Sequence, residues 1–197
     1  MNGRRLTIPL FPLKTVLFPG GVLPLRVFEP RYLDMVADCL RHDTGIGVVL
    51  IRDGSETDGV PEIHELGTLT HIRYWHKRPD GLLGVTLEGE SRFRILDMQV
   101  QPDRLIRAEV ELLPSVAACA VAPDHARLVE LLRQILAQLE PPYTTLTPSW
   151  DDADWVGARL AELLPLDLTE KQALLAEEDA RTRLAAIARQ LAELELD

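Results

Sequence analysis

Residues 65–112 read ELGTLTHIRYWHKRPDGLLGVTLEGESRFRILDMQVQPDRLIRAEVEL, and the alternation inside that stretch decides the fold class. Four runs have strand composition: Leu66–His76, Leu82–Glu88, Arg92–Asp97 and Leu105–Leu112. Between them stand turn residues. Pro79-Asp80-Gly81 presets φ and supplies a residue free to take φ > 0, and Glu88-Gly89-Glu90 reads as a second reversal. Period two gives each run one apolar face. Thr70, Ile72 and Tyr74 oppose His71, Arg73 and Trp75, while Val85 and Leu87 oppose Thr86 and Glu88. Phe93 and Ile95 oppose Arg92 and Arg94, and Ile106, Ala108, Val110 and Leu112 oppose Arg107, Glu109 and Glu111. Consecutive one-sided antiparallel strands must cover that face or close on themselves, which predicts a small barrel.

Upstream, Leu6–Leu13, Val16–Gly21 and Val22–Leu25 are apolar but interrupted by Pro9, Pro12, Pro19 and Pro24. Proline cannot donate to a ladder, so these segments are expected to be edge or bent strands laid across the barrel. Pro30 suits the first turn of a helix whose buried stripe would be Leu33, Val36, Ala37 and Leu40. Ile46–Ile51 is a continuous apolar run of strand length, expected to be covered on both faces. Gly67 breaks the long strand after it and marks a bulge or a barrel corner.

After Pro114 the pattern becomes helical. Asp124 is placed to cap a helix carrying Leu128, Leu131, Leu132, Ile135 and Leu139, stopped by Pro141-Pro142. Ser149 with Asp152, and Thr169 with Gln172, have capping-box spacing ahead of two more helices. Asp179 caps the last, with Leu184, Ile187, Leu191 and Leu194 along one side. The expected architecture is α+β: a β pseudobarrel over residues 1–114 and a helical bundle over residues 115–197.

Composition narrows the role. The 197 residues carry a net charge of −10, with 46% hydrophobic and 26% charged side chains. Residues 1–114 hold 14 Lys and Arg against 16 Asp and Glu, a net of −2; residues 115–197 hold 7 against 15, a net of −8. The second region would be repelled by phosphate backbones, which counts against nucleic acid. Only Cys39 and Cys119 occur, as expected of small apolar fillers in a reducing, cytoplasmic setting. No apolar run is long enough to span a bilayer, and the N-terminal residues have no signal-peptide core, so neither membrane nor export is expected.

The ordered set Ile8-Pro-Leu-Phe-Pro-Leu13, Phe18-Pro-Gly20, Leu23-Pro-Leu25, Phe28-Glu29 with Arg31-Tyr32, Glu65-Leu-Gly-Thr68 and Leu87–Ile95 resembles the N-terminal domain of Lon proteases. Trp155–Leu160, Leu163–Leu166 and Lys171–Leu174 are similar to the helical part of that domain in short stand-alone bacterial proteins. The resemblance covers nearly the whole chain. It implies a PUA-like pseudobarrel followed by a helical bundle, used in Lon to recognise unfolded or tagged protein segments. It further implies a protease or chaperone of the host as a working partner.

The catalytic signatures of Lon are missing from these residues. None of Lys14, Lys77 and Lys171 follows a glycine, so there is no Gly-Lys-Ser/Thr phosphate loop. No Gly-x-Ser-x-Gly elbow surrounds Ser55, Ser91, Ser115 or Ser149. His64, His71 and His76 fall on opposite strand faces, and Asp151, Asp152 and Asp154 read as first-turn carboxylates. No metal and no cofactor are expected. Arg73, Arg92, Arg94, Arg104 and Arg107 could line the barrel exterior as an RNA track, but the interspersed Glu88, Glu90, Glu109 and Glu111 favour a mixed, solvated face.

The expectation is a non-catalytic protein- or peptide-binding module, with an RNA- or small-ligand-binding PUA-like module as the alternative. Trp75, Tyr143 and Trp150 are the aromatic candidates for peptide contact, with Arg73 and Arg92 as an arginine rim. The last helix could instead serve self-association, and the sequence leaves the oligomeric state open.

Overall fold

The computed structural model describes residues 3–56 and 59–194, the last of these by its backbone alone. The chain divides into two compact units, Met1–Pro114 and Ser115–Asp197.

The first unit is a strand ring. Its elements are β1 (Arg5–Leu13), β2 (Val22–Val27), α1 (Pro30–His42), β3 (Ile46–Asp53), β4 (Glu62–Lys77), β5 (Leu83–Val100) and β6 (Ile106–Leu112). The sheet order is β2-β5-β4-β3-β1-β6, and β6 pairs back onto β5, so five strands close while β2 flanks β5. All pairings are antiparallel except β1 with β3. The predicted barrel is therefore present.

β1 holds two prolines and still sits between two strands. It pairs with β6 from Arg5 to Leu10 and with β3 from Leu10 to Leu13. Pro9 lies in the first section and Pro12 in the second, so each falls where the strand has a single ladder. The expected edge character is thus local, and neither missing N–H breaks a sheet. Ile8 and Leu10 point into the barrel with Val49, Leu69, Phe93, Ile106, Ala108 and Val110. Phe11 and Leu13 point the other way, into a second cluster with Tyr32, Met35, Val36 and Cys39 of α1 and with Val48, Val85 and Leu87. Ile46 through Ile51 are all buried, as a run covered on both faces must be.

Glu88-Gly89-Glu90 is not a turn. β5 runs through it as one 18-residue strand. Glu90 is an extra residue between the pairs Thr70–Gly89 and Leu69–Ser91, a bulge that bends the strand. Gly89 is required by close approach: a Cβ there would lie 2.3 Å from the Phe18 carbonyl oxygen. The segment ending at Gly21 crosses at that point. Gly20 N–H donates to the Gly89 carbonyl at 2.8 Å, Gly89 N–H donates to the Gly21 carbonyl at 2.9 Å, and Thr68 Oγ1 donates to the Leu17 carbonyl. Gly67 does adjoin a register shift, between Val49 and Ile51 of β3, and a Cβ there would meet the Val48 carbonyl at 2.5 Å and the Phe93 ring at 2.7 Å. Pro79-Asp80-Gly81 is the expected reversal, with Gly81 at φ 84° and Asp80 Oδ1 accepting from Leu82 N–H.

α1 presents a different stripe from the expected one. Tyr32, Met35, Val36 and Cys39 are buried, whereas Ala37 and Leu40 are exposed. Stacking of Tyr32 on Phe11, with ring centroids 4.3 Å apart, fixes this phase. Arg31 is also buried. It pairs with Glu29 at 2.8 Å, donates to the Arg104 carbonyl at 3.2 Å, and lies 4.7 Å from the Tyr32 ring centroid.

The second unit holds α2 (Ala126–Ala137), α3 (Ala153–Leu163), α4 (Leu168–Ala176) and α5 (Ala180–Leu194). Leu128, Leu132, Val156, Leu160, Leu174, Leu175, Leu184 and Ile187 form its interior. The expected caps shift. Asp124 lies in a 3-10 turn before α2 and makes no cap. Asp152, not Ser149, caps α3 by accepting from Asp154 N–H at 3.0 Å. Asp167 and Glu170, not Thr169 and Gln172, form the box at α4. Asp179 does cap α5, accepting from Thr182 N–H. The Leu194 side chain lies outside the described residues.

Arg183 of α5 is the polar centre of this unit. It pairs with Asp154 and donates to the Leu174 carbonyl at 2.9 Å and the Glu177 carbonyl at 2.7 Å. Gly157 leaves room for its stem, with Arg183 Cδ 3.4 Å from where a Cβ would be.

Two stability tests follow from this packing. Gly89→Ala should lose about 2–3 kcal/mol in urea titration because the Cβ meets backbone that cannot rotate away; a loss below about 0.5 kcal/mol would refute the close approach. Arg183→Ala should cost about 3 kcal/mol by leaving Asp154 and two carbonyls unpaired. Arg183→Lys should recover only part of this, since an ammonium does not reproduce the guanidinium fork.

Candidate functional site

The sequence-predicted aromatics fall on different units. Trp75 and Arg73 belong to β4 and Trp150 and Tyr143 to the helical unit.

On β4, an extra residue at Arg73 separates the pair Ile72–Leu87 from Tyr74–Thr86. That bulge inverts the alternation. Trp75 pairs with Val85 and shares its face, while Tyr74 moves to the opposite face and stacks on His76 with centroids 5.3 Å apart. Both stay open near the hairpin end, Trp75 at 55% and Tyr74 at 60% exposure. The parity expected for both is therefore overturned by one inserted residue. Arg73 pairs with Glu88 at 3.0 Å, and His71 lies 3.7 Å from the same carboxylate.

Arg92 does not belong to a rim. It is 4% exposed and donates to the Pro114 carbonyl at 3.4 Å, while its own carbonyl accepts from Leu113 N–H. The segment leaving β6 lies over its side chain, which strand parity alone could not reveal. Arg107 pairs with Asp38 at 3.5 Å, so the arginines fall among carboxylates rather than in a continuous RNA track. Among the described residues no group of three or more His, Cys, Asp or Glu is arranged to hold a metal.

A small hollow of about 80 Å³ opens on the strand unit beside α1. Phe11, Leu13, Leu25 and Tyr32 line it, Phe28 stands at its lip with 55% exposure, and Glu29 and Glu56 carry its carboxylates. Burial pushes the Tyr32 phenol up from its ordinary value, opposed by the Arg31 guanidinium.

The larger recess lies in the helical unit. Residues 118–120 and 148–152 enclose an open groove of about 600 Å³ lined by Cys119, Ser149, Trp150, Asp151 and Asp152. Its walls are tied together by backbone. Ala120 bridges Asp152, Ala153 N–H donates to the Cys119 carbonyl at 2.8 Å, and Val121 N–H donates to the Asp151 carbonyl at 3.1 Å. A second hollow of about 270 Å³ is lined by Ala122, Pro123, Val129, Glu130 and Arg133, and it shares Trp150 and Asp151 with the first. Trp150 thus lines both recesses. Its ring meets Trp155 edge-on at 5.3 Å, and the Arg133 guanidinium lies 4.1 Å from its centroid.

Tyr143 lines neither recess. It starts a 3-10 turn, and burial raises its phenol with the Glu162 carboxylate adding to the effect. The same Glu162 acts on Lys171: burial lowers its ammonium against the opposing pull of that carboxylate, and the Glu162 backbone carbonyl accepts from Lys171 Nζ at 2.8 Å. Sequence alone reads Asp151 as a first-turn carboxylate and gives no reason to place Cys119 or Arg133 in a site. The available signal was the aromatic pair Trp150 and Trp155 flanking a run of aspartates, more polar surface than a helix cap requires.

The model of the ATP-dependent protease La (LON) substrate-binding domain matches residues 7–193. The chain belongs to this family. A crystal structure of a Lon N-terminal domain protein from Xanthomonas campestris is 38% identical, with a TM-score of 0.75 over 93% of this chain and 98% of that one. The N-terminal domain of a Mycobacterium avium complex Lon protease shares the fold, with a TM-score of 0.57 at 17% identity. Lon protease 2 of Myxococcus xanthus is 27% identical over 91% of this chain, and Lon protease of Escherichia coli (strain K12) 28% over 93%. The chain spans about a quarter of the length of these curated relatives, 23% and 24%. No helix among the described residues is long and apolar enough to cross a membrane.

The two thiols of this LON-family chain should differ. Cys39 is buried and burial raises its thiol, whereas Cys119 is half-buried in the groove wall. An aromatic disulfide reagent at neutral pH should label Cys119 within minutes and Cys39 only after denaturant is added. Equal rates in the native protein would contradict this burial.

Proposed function

We propose that this chain is a non-catalytic module that binds exposed apolar segments of unfolded or tagged proteins, with Trp150 as its anchor. The observation that carries the reading is the position of Trp150. A half-buried amphipathic ring that lines two open recesses, held by Arg133 over it and Trp155 against it, offers its remaining apolar surface to a ligand, and such rings dominate recognition energetics. The family's description as a substrate-binding domain supports the same class of ligand. Tyr74 and Trp75 supply a second exposed aromatic surface on the strand unit.

A host protease or chaperone would be the acceptor of what is bound. The absence of a Gly-Lys-Ser/Thr loop and a Gly-x-Ser-x-Gly elbow in the 197 residues supports binding without turnover. Two unpaired cysteines fit a cytoplasmic setting. The burial of Arg92, the pairing of Arg73 and Arg107, and the charge of residues 115–197 favour protein over RNA as ligand.

Titration calorimetry with a permanently unfolded polypeptide tests the reading. Micromolar binding is expected, weakened about tenfold or more by Trp150→Ala and less by Trp75→Ala. Silence with unfolded polypeptides, or hydrolysis of peptide or ATP by the purified chain, would overturn it.

A further inference from the structure

From the charges around Trp150, we infer that the groove selects cationic apolar segments, meaning aliphatic or aromatic side chains flanked by Lys or Arg. This rests on the peptide-binding reading above and adds a sign to it. Asp151 lines both recesses, Asp152 lines the larger and Glu130 the smaller. Among the described residues that line the two recesses, one cation faces them. Arg133 is engaged over the Trp150 ring at 4.1 Å, so its guanidinium is directed to the indole. The α3 N-terminus, which would otherwise attract an anion, is occupied by the Asp152 carboxylate, which accepts from Asp154 N–H. Asp154, the next carboxylate along, is turned to Arg183 in the interior.

The surrounding unit carries 15 acidic against 7 basic residues, so the local sign is reinforced at longer range. An apolar segment bearing carboxylates would be drawn to the aromatic wall and repelled by its rim. A segment bearing Lys or Arg would gain from both, and its guanidinium or ammonium groups could lie against Asp151 from either recess. Selection by charge of this kind acts through encounter rate and discrimination more than through burial.

The test compares two synthetic fluorescent peptides with the same Leu and Phe content, one carrying Lys and Arg and the other Asp and Glu, against the full chain. The cationic peptide should bind about tenfold more tightly, with the gap shrinking several-fold between low and high salt. Replacing Asp151→Asn together with Glu130→Gln should narrow the gap while circular dichroism stays unchanged, because the Asp151 backbone bond to Val121 is kept. Equal affinity for the two peptides would sink this inference and leave the peptide-binding reading standing. Failure of both peptides and of unfolded polypeptide to bind would sink both.

Discussion

β5 serves three neighbours, and the bend of its backbone next to Gly89 is what makes that possible. Its first residues pair with β2 on one side and β4 on the other, and its last residues pair with β6. A flat strand could not reach both ends of the sheet. Bulges at Glu90 on the β4 side and at Leu96 on the β6 side add local twist, and the Phe18–Gly21 segment fills the space the missing Cβ leaves. Closure removes the free edges that a meander would expose and buries Phe93 completely at the centre of the ring. The second apolar cluster, under α1, depends on the same bend, because Val85 and Leu87 face it from the first half of β5.

Four arginines are buried among the described residues, and besides Arg92 three of them sit where backbone carbonyls or carboxylates converge. Arg31 ties the start of α1 to the turn at Arg104, Arg183 ties α5 to α3 and to the end of α4, and Arg159 is 1% exposed and pairs with Glu162 at 2.7 Å. Each is desolvated, so its partners are obligatory rather than optional. Such residues define geometry more than they add net stability. Their fork of donors fixes where helices and loops end.

The ring was legible in the sequence wherever one residue alternated with the next without interruption. β6 follows its predicted faces from Ile106 to Val110, and Ile46–Ile51 is buried throughout. The failures have one physical source: an inserted residue or a non-local contact that period counting cannot register. Glu90 turned an apparent reversal into a bulge, and Arg73 moved Tyr74 and Trp75 across the sheet. Arg92 was placed outward correctly relative to Phe93 and was then covered by the chain leaving β6. In α1 the propensity signal admitted two neighbouring stripes, and the Phe11–Tyr32 stack chose between them. Of the site, Trp150 could be marked from its type and its loop. Its company could not, because Cys119 and Arg133 reach it from segments far away in sequence.

Trp150 lies in a loop, yet little about that loop is free to move. Asp152 holds the first turn of α3, Ala120 and Val121 pair with Asp152 and Asp151 directly after the ring, and Trp155 and Arg133 contact the ring itself. An aromatic anchor already held in place loses little rotamer entropy when a partner arrives, so more of the contact energy remains as affinity. The proposed binding of unfolded chains then needs no deep pocket. On the proposed reading, open recesses beside a ring already clamped by Arg133 and Trp155 would take side chains from an extended segment, which a folded surface does not splay out in the same way.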